Sequence, residues 1–294
     1  MSAKAALAPI AEPLVEAAIR AALAEDLGLS GDITTNATVA ADARAVAMIA
    51  TRKDGVVSGL QLAEAAFRAL DADVVFKIAH GDGTPVKAED VIATVSGKAR
   101  AILTGERVAL NFMGRMSGIA TLTRRYVDAI KGTNAKIADT RKTTPGLRAF
   151  EKYAVRCGGG QNHRTGLFDA VLIKDNHIVA AGGLSRAIEA ARASAGRMVK
   201  IEVEVDTLDQ LREVLNHKVD AVLLDNMSPA QLKEAVALVA GRCLTEASGG
   251  VNLDTVRAIA ETGVDMISVG ALTHSAPVLD LGLDFAPSPS KPRA

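Results

Sequence analysis

The chain has 294 residues, of which 49% are hydrophobic and 23% charged, and its 34 basic residues balance 34 acidic ones. This is an ordinary globular composition, long enough for one large domain or two modest ones, and the zero net charge argues against a general nucleic-acid binder or a membrane-surface protein. Aromatics at 3% with no Trp disfavour a base-stacking platform, and no window approaches the roughly 18 apolar residues of a membrane span.

The opening M-S-A-K-A-A-L-A-P-I-A-E-P is interrupted by Pro9 and Glu12 too early for a signal peptide. The two cysteines, Cys157 and Cys243, lack metal or redox spacing and read as reduced thiols, which points to a cytoplasmic protein. Leu14, Ala17, Ile19 and Leu23 recur at helical spacing behind Pro13, predicting a helix over 13–26. E-D-L-G-L-S-G-D-I-T-T then reads as a turn-rich loop. Strand-like runs follow at 45–51, 56–60, 73–79 and 91–96, with a helix over 61–70, making a small α+β unit. Within it, G-D-G-T-P-V-K-A-E-D-V-I-A-T-V-S-G looks like half of a biotinyl or lipoyl carrier hammerhead. Lys87 lacks the hairpin-tip setting of a modified lysine, so the segment is expected to be plain β-rich scaffold. The closing A-P-S-P-S-K-P-R-A has the composition of a frayed tail.

A long helix is predicted over 104–130, broken or kinked near Ser117-Gly118. Beyond it the rhythm changes. Apolar strand candidates at 135–139, 170–174, 199–205, 219–225, 243–248 and 265–270 alternate with helices at 146–157, 185–195, 208–216, 229–239 and 253–262. Near-continuous apolar strands between helices mean a parallel sheet covered on both faces. Six strands, or seven with one hidden in the glycine-rich stretch, fall short of eight. The expectation is an α/β chain: an N-terminal α+β sandwich over 1–118, joined by the C-terminal tail 276–294, and an open, incomplete β/α barrel over 119–275.

Function is expected between Asp139 and His177. Seven residues there are basic (Arg141, Lys142, Arg148, Lys152, Arg156, Arg164 and Lys174) against four acidic, an excess the whole chain does not share. Held at strand ends, such a cluster is a receptor for anions. Reacting groups of β/α barrels collect at the C-terminal strand ends, and all six predicted strands end in charged or small polar residues. These endings are Asp139-Thr140-Arg141-Lys142, Lys174-Asp175-Asn176-His177, Glu202 and Glu204 before Asp206, Asp225-Asn226, Glu246-Ala247-Ser248-Gly249-Gly250, and Ser268-Val269-Gly270-Ala271. The last two suit phosphate, through backbone N–H groups at βα turns, or serve only as tight turns. Glu204 and Asp225 suit Mg²⁺ or sugar hydroxyls, or are structural partners of Arg141 or Lys174. Lys174 suits an anion contact, a Schiff base or a salt bridge. Zinc is not expected, because the histidines lack ligand spacing.

Seven ordered strings carry a narrower resemblance: G-E-R-V-A-L-N-F-M-G-R-M-S-G-I-A-T, D-T-R-K-T-T-P-G-L-R, G-G-G-Q-N-H-R-T-G-L-F-D, L-I-K-D-N-H, I-E-V-E-V-D, L-L-D-N-M and E-A-S-G-G-V. Together they resemble the quinolinate phosphoribosyltransferase family over nearly the whole chain, with a local departure in the spacing of the E-D-L-G-L-S-G-D-I-T-T loop. The resemblance implies a sandwich domain and an open seven-stranded barrel. It implies an enzyme joining quinolinate to phosphoribosyl pyrophosphate with Mg²⁺, releasing pyrophosphate and CO₂ in NAD biosynthesis. It also implies a homodimer with shared sites, in which the N-terminal domain of one subunit covers the barrel mouth of the other. By the same resemblance the dicarboxylate meets Arg107, Arg141, His163, Arg164 and Lys174. Thr140, Lys142 and Lys174 lie at the junction with the sugar pyrophosphate. Glu204 and Asp225 face the ribose hydroxyls and Mg²⁺, directly or through water or substrate. Ser248, Gly249, Gly250, Val269, Gly270 and Ala271 hold the 5′-phosphate. Lys142, Lys174, Glu204 and Asp225 carry the chemistry. The rivals are a paralogous phosphoribosyltransferase of the molybdenum-transport-associated type, a Schiff-base barrel aldolase using Lys174, and a non-catalytic phosphometabolite-binding protein.

Overall fold

The computed structural model describes residues 7–285, so the tail expected to fray over 286–294 and the first six residues of the opening segment lie outside the described residues. The described residues form two compact units: 7–122 with 149–159 and 276–285, and 123–148 with 160–275.

The first unit begins with α1 (Glu12–Leu27), which buries Val15, Ile19 and Leu23, one turn apart, against α3. The expected loop after it contains a short helix, α2 (Ile33–Thr38). Asp32 caps it by accepting the Thr35 N–H at 2.8 Å, and this N-cap signal outweighs the flanking glycines. Next come β1 (Arg44–Thr51), β2 (Gly55–Val56), α3 (Leu60–Arg68), β3 (Val75–Ile78), β4 (Pro85–Val86) and β5 (Val91–Lys98). The expected strand at 56–60 is thus cut to its first residue; Gly59, at φ +104°, turns the chain into α3. With β12 (Leu281–Phe285), the strands form an antiparallel sheet in the order β12-β1-β5-β3. Ile49, Phe67, Ile92 and Ile102 are fully buried in this unit.

One continuous helix, α4 (Ala99–Ala129), runs through Ser117-Gly118 without the expected break. Both residues serve packing instead. The buried Ser117 hydroxyl accepts from the Ser58 N–H at 2.9 Å and donates to the Ser58 carbonyl at 3.0 Å. A Cβ on Gly118 would lie 2.0 Å from the Pro277 carbonyl oxygen, so glycine admits a close approach of backbone at this point.

The helix α5 (Arg148–Gly158) follows the first barrel strand in sequence, but residues 149–159 cluster with the first unit. Two of its polar side chains find partners there: the Arg115 guanidinium donates to Glu151 at 2.7 Å, and the Tyr153 hydroxyl donates to Asp82 at 2.8 Å. Burial raises the Asp82 carboxyl above its ordinary range, against the opposing hydrogen bonds from Tyr153 and the Leu60 N–H.

The second unit holds β6 (Lys136–Ala138), β7 (Val171–Ile173), α6 (Asp175–Ala181), α7 (Leu184–Ser194), β8 (Ile201–Val205), α8 (Leu208–Val214), β9 (Ala221–Asp225), α9 (Pro229–Val239), β10 (Leu244–Ser248), α10 (Val256–Ala260), β11 (Met266–Ser268) and α11 (Ala271–His274). The six strands, each within an expected run, are parallel in the order β6-β11-β10-β9-β8-β7. The edge strands are therefore the first two of the unit in sequence, which is a barrel left open between them. The glycine-rich stretch contributes a single parallel bridge, Gln161 to Ala138, rather than a full strand. Capping boxes at Thr207/Gln210 and Ser228/Gln231 start α8 and α9.

Register decides which side chains share a face. Along β8, Ile201, Val203 and Val205 are buried while Glu202 and Glu204 alternate with them. Glu204 pairs in register with Leu223, and Leu223 with Glu246; Asp225 pairs with Ser248. Leu172 pairs with Glu202 on the other side. Leu172, Glu202, Glu204, Leu223, Asp225, Glu246 and Ser248 therefore lie on one face of the sheet.

Candidate active site

A cavity of about 830 Å³ opens at the C-terminal ends of these strands. Fourteen of the fifteen sequence-predicted site residues line it: Thr140, Arg141, Lys142, His163, Arg164, Lys174, Glu204, Asp225, Ser248, Gly249, Gly250, Val269, Gly270 and Ala271. Arg107 does not. It lies on α4 in the first unit, with its side chain 63% exposed and 3.9 Å from Glu106.

Two arginines form the cationic wall. Arg164 donates to the Ala170 carbonyl at 3.2 Å. Burial, and then the neighbouring Arg141 charge, lower its guanidinium from the ordinary value. The buried Nε atoms of Arg141 and Arg164 have no hydrogen-bond partner in the protein. Two like charges held together with buried, unmatched donors are poised for a multiply charged anion.

His163 is held from several sides. Its N–H donates to Asp139 at 2.9 Å, and the Asn162 amide donates to the other Asp139 oxygen at 2.6 Å. The Arg164 N–H lies 2.7 Å from Nδ1, and Nε2 lies 2.9 Å from Glu202. With Nδ1 accepting, Nε2 carries the proton and donates to the carboxylate. Glu246, only 4% exposed, lies behind, its Oε1 3.6 Å from His163 Nε2. Burial, then the Glu202 charge, push its carboxyl up to about 7, while His163 opposes the shift. Ligand atoms of His163, Glu202 and Glu246 all lie within 4.8 Å of one another, a cluster that residue spacing does not reveal. Within it the Glu202 charge acts on Arg164, and one oxygen each of Glu202 and Glu246 is buried without a hydrogen-bond partner in the protein.

The same cavity holds hard-oxygen groups, Glu204 and Asp225. Lys174 is ion-paired with Glu204, which is the salt bridge among the alternatives for that lysine. Asp225 accepts the Asn226 side-chain amide at 2.6 Å through Oδ2. Two carboxylates on adjacent strands suit an octahedral oxygen-seeking cation such as Mg²⁺, by donor type. Beyond them the chain turns at Gly249 (φ +93°) and Gly250 (φ +62°). Lys142 packs close by: a Cβ on Gly270 would stand 3.1 Å from its Cδ, and Thr273 donates to its carbonyl at 2.7 Å.

Asn226, Glu246 and Ser268, which the sequence names as strand endings without giving them a role, also line the cavity, and it adds Leu172, Leu223, Val251 and His274. Leu172 and Leu223 become legible only through register.

Comparison with known proteins gives a consistent result. Residues 32–117 match the family described as quinolinate phosphoribosyl transferase, N-terminal domain, and residues 119–284 match its C-terminal domain. The chain is 44% identical over 260 residues to the probable nicotinate-nucleotide pyrophosphorylase [carboxylating] of Bacillus subtilis, covering 88% of this chain and 89% of that one. It is 46% identical over 274 residues to the corresponding enzyme of Mycobacterium leprae, covering 91% and 95%. The structure of nicotinate-nucleotide pyrophosphorylase from Francisella tularensis superposes with a TM-score of 0.90 at 40% identity, covering 97% of this chain and 100% of that one.

Proposed function

From the premise that this chain belongs to the quinolinate phosphoribosyltransferase family, we propose how its cavity divides the work of the reaction. The protein is a pentosyltransferase of NAD biosynthesis. It transfers the phosphoribosyl group of phosphoribosyl pyrophosphate to quinolinate with loss of CO₂, giving nicotinate mononucleotide and pyrophosphate.

The observation that carries the division is that one cavity is lined by Arg141 and Arg164, whose buried Nε atoms are unmatched, and also by Glu204, Asp225 and the two glycine-bearing βα turns. Arg141 and Arg164, with His163 behind them, take the two carboxylates of quinolinate. Planar guanidinium donors match planar carboxylates, and the unmatched Nε atoms support this assignment. Ser248, Gly249, Gly250, Val269, Gly270 and Ala271 take the 5′-phosphate through backbone N–H groups at the two βα turns. Thr140, Lys142 and Lys174 stand where acceptor and sugar pyrophosphate meet.

As the pyridine nitrogen attacks ribose C1, the C1–O bond to pyrophosphate breaks and positive charge develops on the sugar. Glu204 and Asp225 stabilise that charge and orient the ribose hydroxyls. Lys142 and Lys174 offset the charge gathering on pyrophosphate. The new ring cation then accepts the electron pair of the C2–carboxylate bond as CO₂ leaves, and C2 takes up a proton. Mg²⁺ would be held by Glu204 and Asp225, directly or through water or substrate, and would screen the phosphate charge.

Arg107, exposed on α4, belongs to a homodimer in which it serves the partner's cavity. Among the described residues no helix is long and apolar enough to cross a membrane, and we place the enzyme in the cytoplasm. The test is turnover: with quinolinate, phosphoribosyl pyrophosphate and Mg²⁺, nicotinate mononucleotide, pyrophosphate and CO₂ appear in equal amounts. Pyrophosphate without CO₂, or turnover of nicotinate in preference to quinolinate, contradicts the reading.

A further inference from the structure

The chain leaves β9 through Asp225 and immediately enters a left-handed turn at Asn226, φ +53°. Of the described residues only three other than glycine have positive φ, and Asn226 alone of these lines the cavity. Glycine adopts this conformation without a Cβ penalty. A non-glycine residue here is explained by what its side chain does, and the Asn226 side chain does two things at once. Its amide Nδ2 donates to Asp225 Oδ2 at 2.6 Å. Its Oδ1 lies against Gly249: a Cβ built there would stand 2.1 Å from that oxygen and 2.6 Å from the amide carbon. The Asn226 N–H, meanwhile, donates to the Ser248 carbonyl at 2.9 Å, tying the same residue to the end of β10. Asn226 is thus wedged between a carboxylate and a glycine turn that come from different strands.

We propose that Asn226 is a positioning residue that sets the Asp225 carboxylate and the Gly249 turn relative to each other, so that one donor molecule meets both. This rests on the assignment of the phosphoribosyl donor to that side of the cavity. Asp225 sits beside the ribose in that assignment and Gly249 beside the 5′-phosphate. An amide suits the junction because it donates on one side and presents a compact oxygen on the other. Aspartate has the same shape and tolerates the left-handed backbone, but it would set a second carboxylate against Asp225. Glycine keeps the backbone and loses the link. Two binding elements held in a fixed relation bind one donor molecule without an ordering cost, so loosening them weakens donor binding.

The experiment compares Asn226→Gly, Asn226→Asp and Asp225→Asn in the full-length enzyme with Mg²⁺, measuring kcat and separate KM values for phosphoribosyl pyrophosphate and quinolinate, with a thermal melt of each. Asn226→Gly is expected to raise the donor KM roughly tenfold and leave the quinolinate KM within about twofold. Asn226→Asp, which retains size and backbone preference should the glycine variant fold poorly, is expected to raise the donor KM at least as much. An unchanged donor KM in both variants overturns the proposal. So does an equal rise in both KM values, or a fall in kcat alone, since a merely structural role would not select the donor. Asp225→Asn separates the two ways of failing. If it raises the donor KM while the Asn226 variants do not, this inference alone falls. If none of the three moves the donor KM, the donor assignment falls and takes this inference with it.

Discussion

Glu246 Oε1 and His163 Nε2 stand 3.6 Å apart in the cavity lining, with Glu202 2.9 Å from the same ring nitrogen. The two carboxylates, together with Asp139 on the His163 backbone, surround His163 with acid, and the Glu202 charge also acts on Arg164. Burial and the Glu202 charge push the Glu246 carboxyl up to about 7 from an ordinary 4.5. Between those two pH values the folded state keeps a proton that the unfolded state has released. Glu246 therefore costs the fold progressively more as pH rises through this window. Glu246→Gln should remove that cost. Its melting temperature relative to wild type should rise between pH 5 and pH 8, by the equivalent of up to about 3 kcal/mol. A difference that does not change with pH would contradict the stated role of burial.

The proposed metal dependence rests on the two carboxylates of the cavity, Glu204 and Asp225. Activity should vanish in chelator and return with Mg²⁺ or Mn²⁺, while zinc should not be required, because Glu204 and Asp225 offer only hard oxygens. Turnover assays in chelator, then with each metal added back, check this. Full activity in chelator rules it out.

Much of this site is legible in the sequence for a physical reason. Parallel strands covered on both faces are near-continuously apolar, so the polar residues ending each run, such as Lys174 after A-V-L-I and Asp225 after A-V-L-L, stand out. What depends on register or packing does not stand out. Glu202 and Glu204 look alike in I-E-V-E-V, yet one lies against His163 and the other against Lys174. Gly118 reads as a helix breaker in the sequence, but in the structure it makes room for the backbone at Pro277. The helix α5 looks like the barrel helix that follows the first strand. Its polar partners, Arg115 for Glu151 and Asp82 for Tyr153, lie far away in sequence, in the first unit with which residues 149–159 cluster.

The thiols offer an independent check on packing. Cys157 is 1% exposed and receives the Ser58 hydroxyl at 3.3 Å, and burial pushes its thiol up to about 12. At pH 7 only about one molecule in a hundred thousand carries the thiolate. In the native protein a thiol-specific reagent should leave Cys157 untouched. The partly exposed Cys243, its pKa also raised by burial, should react slowly. Peptide mapping of the labelled protein distinguishes the two. Rapid native labelling of Cys157 would show that the contacts around it are loose.

Assembly can be read from complementation. Arg107→Ala and Lys142→Ala should each abolish activity as homodimers. After the two variants exchange subunits, half the dimers are mixed and each has one intact site of two, so activity should return to about a quarter of wild type. If no activity returns despite proven exchange, Arg107 does not serve the partner's cavity.

The division of the cavity itself is tested most directly by calorimetry on Arg141→Lys and Arg164→Lys. Lysine keeps the charge and loses the bidentate, planar fork. Quinolinate affinity should therefore fall roughly ten- to a hundredfold, the equivalent of one or two charge-assisted hydrogen bonds. The affinity for phosphoribosyl pyrophosphate with Mg²⁺ should stay within about threefold of wild type by the same arithmetic. Equal losses for both ligands, or a loss confined to the phosphoribosyl donor, would contradict the assignment of the two arginines to the dicarboxylate.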